Sequence, residues 1–366
     1  MHTIKYKVIL MLTTISSNNS HVHFDEKAYV ELNNLLTSKS YSKLFLLVDQ
    51  NTHQFCLSVF LGNLDKEYSF EIIEIPAGEA HKQIETCAQV WETISESGGD
   101  RKSLLVNLGG GVVTDLGGFV AATYMRGIDF VNIPTSLLSM VDASVGGKTG
   151  VDLGPLKNQV GVFTEPLMVL VDIEYLNSLP TSELRSGLAE MLKHGLICDQ
   201  KYWEQLSNMN ELEPSALQDL IYRSIEIKNQ VITQDPLEGG LRKILNFGHT
   251  LGHAIESYFL EHPDKTTLLH GEAIAIGMIM ESYLSVHLTG LSQGKLDEIK
   301  AVFLNYFKLV DINQQELESI IKLMRFDKKN SSGKVNFALL EDIAKPVWDI
   351  KADNDLIYKA LEYYKK

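Results

Sequence analysis

Three histidines, one glutamate and a run of glycines could do most of the chemistry available to this sequence. His249 and His253 in NFGHTLGHAIES stand four residues apart, so one helix face presents both imidazoles, and Gly248 and Gly252 are expected to keep that face open. His270 in LLHGEA opens another helical segment, while the three-residue spacing of Glu190 and Lys193 in SGLAEMLKHG puts carboxylate and ammonium on one face. A catalytic zinc commonly takes three protein ligands of the His, His, Glu type and keeps one position for water or substrate. Glu190, His249 and His270 would supply that set, although spacing alone does not choose between His249 and His253. The HExxH pattern of metalloproteases is absent.

A second cluster surrounds Gly109-Gly110-Gly111, which follows the apolar run Leu104 to Leu108 and precedes the helical TDLGGFVAATY. Glycines between a strand and a helix let the backbone approach a pyrophosphate, whose charge the free N–H groups of the helix start would welcome. The pattern is GGGxxxD rather than the dinucleotide-binding GxGxxG, and a tight turn without a ligand is the structural alternative. Asp115 is expected in the first turn of that helix, either stabilised there by the dipole or holding polar groups of a cofactor.

Basic residues set among glycines and other polar punctuators form a third group: Arg126, Lys148, Lys157 with Asn158, Lys228, Arg242 with Asn246, and Lys328. Singly each reads as a solvated surface charge. Together, beside a metal, they would make a pocket for a phosphate and a carboxylate, with Arg giving paired contacts and Lys point charges. Such a cluster matters because the chain as a whole carries a formal charge of −14, which disfavours nucleic acid and anionic membranes as partners.

The elements that must position these groups change character near Leu179-Pro180. Before it, short apolar runs (KLFLLVD, SFEIIEI, SLLVNLG, DFVNIP, LMVLVDI) alternate with amphipathic stretches such as ETCAQVWETISES, the pattern of βαβ units around a mainly parallel sheet. After it, TSELRSGLAEMLKHGLI, ALQDLIYRSIEIKNQVI and GEAIAIGMIMESYLSVHL show helical spacing. The expected architecture is an α/β nucleotide-binding domain over residues 1–179 and a mostly α-helical metal- and substrate-binding domain over 180–366. With 45% hydrophobic residues in 366, both parts can bury a core. Three widely spaced cysteines without a CxxC fit a reducing compartment, and a cytoplasmic location is expected. The run Val8 to Leu12 is too short to span a bilayer and lacks a cleavage signature, so it reads as a first strand or as sequence upstream of a start at Met11.

Taken together, GGGVVTDLGGFVAATYMRG, NIPTSLLSMVDASVGGKTGVD, SGLAEMLKHG, GGLRKILNFGHTLGHAIES and LLHGEA resemble the 3-dehydroquinate synthases, in the family's order from about Leu46 to Asn330. The resemblance implies Glu190, His249 and His270 as zinc ligands, with cobalt as the alternative ion, and His253 as a residue touching substrate or handling protons. It implies NAD against Gly110, Gly111, Val112 and Asp115, with Asp49, Glu79 and Lys82 at the adenosine end and Thr135, Ser136, Asp142, Lys148 and Lys157 completing the set. Lys148, Asn158, Lys193, Lys228, Arg242, Asn246 and His253 match substrate-binding positions, Lys328 a phosphate contact, and Arg126 a residue reaching the phosphate from a partner subunit of a homodimer. The implied reaction turns 3-deoxy-arabino-heptulosonate 7-phosphate into 3-dehydroquinate and phosphate, the second step of the shikimate pathway, with NAD reduced and reoxidised in one turnover. No further enzyme domain is expected. Two departures stand out: Thr114 replaces a common Gly, and GPLKN replaces PLGKN, which predicts a differently set loop ahead of Lys157 and Asn158.

Two other readings share much of this equipment. A related sugar phosphate cyclase would act on a substrate without the carboxylate, and the joint presence of Arg242, Asn246 and His253 argues for dehydroquinate synthase. An NAD-dependent polyol dehydrogenase would use an Asp among its metal ligands, whereas Glu190 and VGGKTG fit the synthase.

Overall fold

In a computed structural model of the chain, residues 12–324 and 335–366 are described, apart from residues 18, 155, 210, 211 and 263. The run Val8 to Leu12 falls almost wholly outside them, as does Lys328. The strands are β1 (Ile15–Ser16), β2 (His21–Phe24), β3 (Leu44–Asp49), β4 (Phe70–Ile75), β5 (Leu104–Gly109), β6 (Asp129–Pro134), β7 (Lys148–Leu153), β8 (Leu156–Phe163), β9 (Met168–Val171), β10 (Asn336–Asp342) and β11 (Lys345–Lys351). The helices are α1 (Asp25–Ser38), α2 (Gln50–Phe55), α3 (Leu57–Gly62), α4 (Ile84–Glu96), α5 (Gly111–Thr123), α6 (Thr181–Cys198), α7 (Gln200–Ser207), α8 (Gln218–Gln234), α9 (His249–Glu261), α10 (His270–Leu288), α11 (Gln293–Tyr306), α12 (Gln314–Met324) and α13 (Asn354–Lys365).

Seven strands form one sheet in the order β1-β2-β9-β6-β5-β3-β4, parallel except for the β1–β2 pair. The parallel strands are apolar on both faces because both are covered. Phe45, Leu47, Leu105 and Phe130 pack on one side with α4 and α5, and Leu46, Val48, Val106 and Val131 on the other with α1. That second core runs on without a break into the helices from α6 onward. The expected α/β part with a mainly parallel sheet, followed by a helical part, is the fold observed.

Two hairpins were not legible as strands. In β7–β8, Gly150 and Gly161 sit opposite each other. A Cβ at Gly150 would lie 2.5 Å from the Val160 carbonyl oxygen, so the glycines that look like loop are required by close backbone approach. The β10–β11 hairpin lies inside the region expected to be helical and packs against α10 and α6.

Candidate active site

The C-terminal ends of β3, β5 and β6 lie side by side, the place where parallel α/β sheets open a crevice. Asp49 ends β3 and caps α2, accepting from the Thr52 N–H at 2.8 Å. Gly109 ends β5, and its carbonyl accepts from the N–H of Thr135 at 3.0 Å. A Cβ on Gly110 would come 3.4 Å from Ser136 Oγ, and one on Gly111 3.3 Å from Ala143 Cβ. Among the described residues no side chain caps the start of α5, so its first N–H groups lack an intrahelical or capping acceptor, as an anion-binding helix start requires.

Asp115 does not stand in the first turn of α5 as expected. It is the fifth residue of the helix, too far along to serve the N-terminus, and it pairs with Lys82 at 2.6 Å. Lys82 also donates to Asn158 Oδ1 at 2.7 Å, while Lys157 reaches Glu79 at 2.8 Å, Asp152 at 3.5 Å and Glu256 at 3.3 Å. Burial alone would discharge Lys82 and Lys157, but the surrounding carboxylates outweigh it and raise both pKa values. Asn158, in β8, adopts a positive φ of 51°, with its N–H bound to Asp152 at 2.7 Å.

The metal-ligand candidates converge from three helices. Glu190 of α6 is completely buried; its Oε1 lies 3.4 Å from Nε2 of His249 on α9 and 3.7 Å from Nε2 of His270 at the start of α10. These gaps are long for hydrogen bonds, and two ligands of one tetrahedral zinc stand about 3.4 Å apart when each bond is about 2.0–2.1 Å. The other Glu190 oxygen contacts the Lys193 ammonium. Burial opposes ionisation of Glu190, yet Lys193 and the two imidazoles overcome it and hold the carboxyl well below its ordinary range. Burial and Lys193 keep His249 neutral, as a ligand must be. His270, against burial, is pushed up to about 10 by Glu256 and Glu190, a proton that a bound cation would displace. His253 joins the same group, its ring 5.0 Å from His249 and 5.7 Å from His270. The donor set therefore fits a divalent metal.

Glycines in this region do something other than expected. Gly248 and Gly252 do not keep the histidine face open. Added Cβ atoms there would run into Met278 at 2.2 Å and Ile274 at 2.6 Å, so they let α9 sit close against α10. The N-terminus of α9 is in turn held by Glu281 of α10, which accepts from the N–H groups of Gly248 and Leu251 at 2.7 and 3.1 Å.

The basic residues divide into two groups. Lys228 of α8 pairs with Asp142 at 2.6 Å in a π-helical turn, Ser139–Ala143; burial lowers the lysine's pKa. Arg242 is buried and donates to the carbonyls of Pro236 and Gly146, while its Nε–H meets no acceptor among the described residues. Lys148 and Asn246 both bind Glu238, at 2.5 and 2.7 Å. Arg126, by contrast, is exposed on the turn that follows α5, about 20 Å along that helix from the glycines, and this chain does not bring it to them.

Glu238, Glu256, Asp152 and Asp235, whose carboxylate receives the N–H groups of Gly239, Gly240 and Arg242, were not anticipated. Only Glu256 left a signal: it lies seven residues after His249 and three after His253, on the same helix face.

His194 is buried beside Lys193, with Nδ1 2.7 Å from Ser224 Oγ, and burial takes its pKa down to about 3 from 6.5. The folded value is the lower one, so the unfolded chain binds the extra proton in between. Stability is unaffected above about pH 6.5 and falls as pH drops from there towards about 3, by at most about 1.4 kcal/mol per unit. In metal-stripped protein, His194→Gln is expected to flatten the acid limb of urea midpoints taken between about pH 4 and pH 7. An unchanged slope would mean that the ring takes up its proton without unfolding.

Among the described residues, no helix is long and apolar enough to cross a membrane. Residues 72–186 match the 3-dehydroquinate synthase N-terminal family model and residues 187–330 the C-terminal one. The chain is 39% identical to 3-dehydroquinate synthase of Parabacteroides distasonis over 92% of its own length and 95% of that protein. Among solved structures, 2-epi-5-epi-valiolone synthase from Streptomyces hygroscopicus subsp. jinggangensis, with NAD+ and Zn2+ bound, is 26% identical at a TM-score of 0.79, covering 96% of this chain and 98% of that one. A 2-deoxy-scyllo-inosose synthase complexed with carbaglucose-6-phosphate, NAD+ and Co2+ shares the fold at 24% identity and a TM-score of 0.83, over 96% and 99%. The two matched segments meet at α6, the helix that brings Glu190 to His249 and His270, and they span most of a chain that belongs to the 3-dehydroquinate synthase family.

Proposed function

We propose that this chain converts 3-deoxy-arabino-heptulosonate 7-phosphate into 3-dehydroquinate and phosphate. The observation that carries this reading is the buried Glu190 carboxylate, set at ligand-to-ligand spacing from His249 and His270 with the Lys193 ammonium beside it. Glu190, His249 and His270 hold the metal, taken to be zinc with cobalt as the alternative. NAD is held by Gly110, Gly111 and Val112 at the uncapped start of α5, by Asp115, Thr135, Ser136, Asp142 and Lys148 nearby, and by Asp49, Glu79, Lys82 and Lys157. When bound, the metal polarises the hydroxyl to be oxidised and NAD takes up and later returns the hydride.

This chain's own side chains do the rest. Lys193, Lys228, Arg242 and Lys148 neutralise the substrate's phosphate and carboxylate, with Asn158 and Asn246 fixing its orientation. The unpartnered Nε–H of Arg242 offers a donor for one of those oxygens. His253, half-buried at the edge of the cluster, is placed to carry protons. Arg126 is exposed, so it would serve a phosphate in a partner subunit, and a homodimer is the proposed assembly. Cys56, Cys87 and Cys198 are unpaired, as a reducing cytoplasm allows.

The test supplies zinc-loaded protein with the heptulosonate phosphate and a catalytic amount of NAD. Many phosphates released per NAD, without lasting NADH, is the expected result. No phosphate from active metal-loaded protein, but turnover of a sugar phosphate lacking the carboxylate, would move the chain to a related cyclase. Steady NADH formation from polyols would make it a dehydrogenase.

A further inference from the structure

Glu256 lies on the histidine face of α9, is nearly buried, and spends its two oxygens on different parts of the molecule. Oε2 is 3.1 Å from Nδ1 of His270, and Oε1 is 3.3 Å from Nζ of Lys157, which belongs to β8. The two ring nitrogens of a histidine are not equivalent, and the bond made by one decides what the other can do. With Nδ1–H donated to Glu256, the lone pair left to His270 is the one on Nε2, the atom 3.7 Å from Glu190 Oε1. His249 is fixed in the same sense by a backbone group, its Nδ1 lying 3.1 Å from the Phe247 carbonyl. Of these two imidazoles, His270 is the one whose orientation depends on a side chain.

We propose that Glu256 is a positioning residue: it sets the ring plane and tautomer of His270, and Lys157 anchors it from the glutamate, aspartate and lysine cluster beside the glycine turn. The proposal deepens the reading of Glu190, His249 and His270 as metal ligands and rests on it. Carboxylates behind metal-bound histidines typically change metal affinity about 10–100-fold when removed.

Cobalt titrated into the metal-free full-length protein, in competition with a chelator, reads affinity from the visible absorption of the bound ion without any turnover. Glu256→Ala is expected to weaken cobalt binding about 10–100-fold and to shift the absorption bands, with Glu256→Gln in the same direction and a smaller loss. Lys157→Met keeps the carboxylate on His270 and should weaken binding less than either. Far-ultraviolet circular dichroism should be unchanged in Glu256→Gln, which matches glutamate in size and decides the matter if the alanine variant does not fold. Cobalt affinity within about twofold of wild type, with the same bands in Glu256→Gln and in any folded alanine variant, overturns the proposal. Wild type that binds no cobalt, or His270→Ala that binds it as well as wild type, overturns the ligand reading itself, a different and recognisable failure.

Discussion

Glu190→Gln is expected to lower kcat/KM for the heptulosonate phosphate by on the order of a thousandfold, because a metal that polarises the reacting hydroxyl contributes several kcal/mol to the barrier. Glutamine is the informative choice over alanine. Glu190 is the closest charge to the Lys193 ammonium, and both side chains are almost wholly out of water. Deleting one partner of such a pair costs about 3–5 kcal/mol of stability, since the other is left as an uncompensated buried charge. Either substitution removes that charge, but glutamine keeps the side-chain volume and an amide oxygen to accept from the ammonium, whereas alanine adds a cavity to the loss. The decisive comparison is metal content against NAD affinity in the glutamine variant. Metal lost with NAD binding retained supports the assignment, whereas full metal content with wild-type turnover would end it.

Gly277→Ala, a single methyl added where α10 crosses α9, is expected to destabilise the protein by about 3 kcal/mol and to abolish metal binding. The new Cβ would lie 2.0 Å from the Gly248 carbonyl oxygen and 2.8 Å from the Gly252 nitrogen. Both contacts are backbone atoms, which cannot rotate aside, so α9 and α10 must separate and carry His249 away from His270. Gly294→Ala on α11 is the control: nothing lies within 4 Å of its Cβ position, and the substitution should be neutral or stabilise by up to about 1 kcal/mol. Urea unfolding of both variants alongside cobalt titration checks the pair. A wild-type midpoint for Gly277→Ala would mean that the helix crossing is far softer than its geometry implies.

The parallel strands could be read from the sequence because burial on both faces leaves an unbroken apolar run, as in Leu44 to Val48 and Leu104 to Val106. The hairpin from Lys148 to Phe163 could not, since glycines that permit close pairing look the same in a sequence as glycines in a loop. Residue type and spacing were enough to bring Glu190, His249, His253 and His270 into one group. They said nothing of Glu238, whose carboxylate gathers Lys148 and Asn246, because one glutamate among 47 acidic residues carries no mark of its surroundings. Asp115 shows the converse: its helix was foreseen, but its partner lies 33 residues away on a separate segment, and only tertiary structure brings Lys82 to it.

Helix α10 supplies His270 at its start. Gly271, one residue on, lies 2.2 Å from the Ser186 carbonyl of α6 as judged by an added Cβ, Gly277 sits against α9, and Glu281 holds the start of α9. One element thus sets the mutual placement of all three candidate ligands, while Lys228, Glu238, Arg242 and Asn246 stand on α8 and the segment that follows it. Inheritance should treat the two differently. Almost any change along the inner side of α10 breaks the frame at once, but the α8 side can drift by small steps, so new substrates on this scaffold would be acquired there with the metal geometry passed on intact.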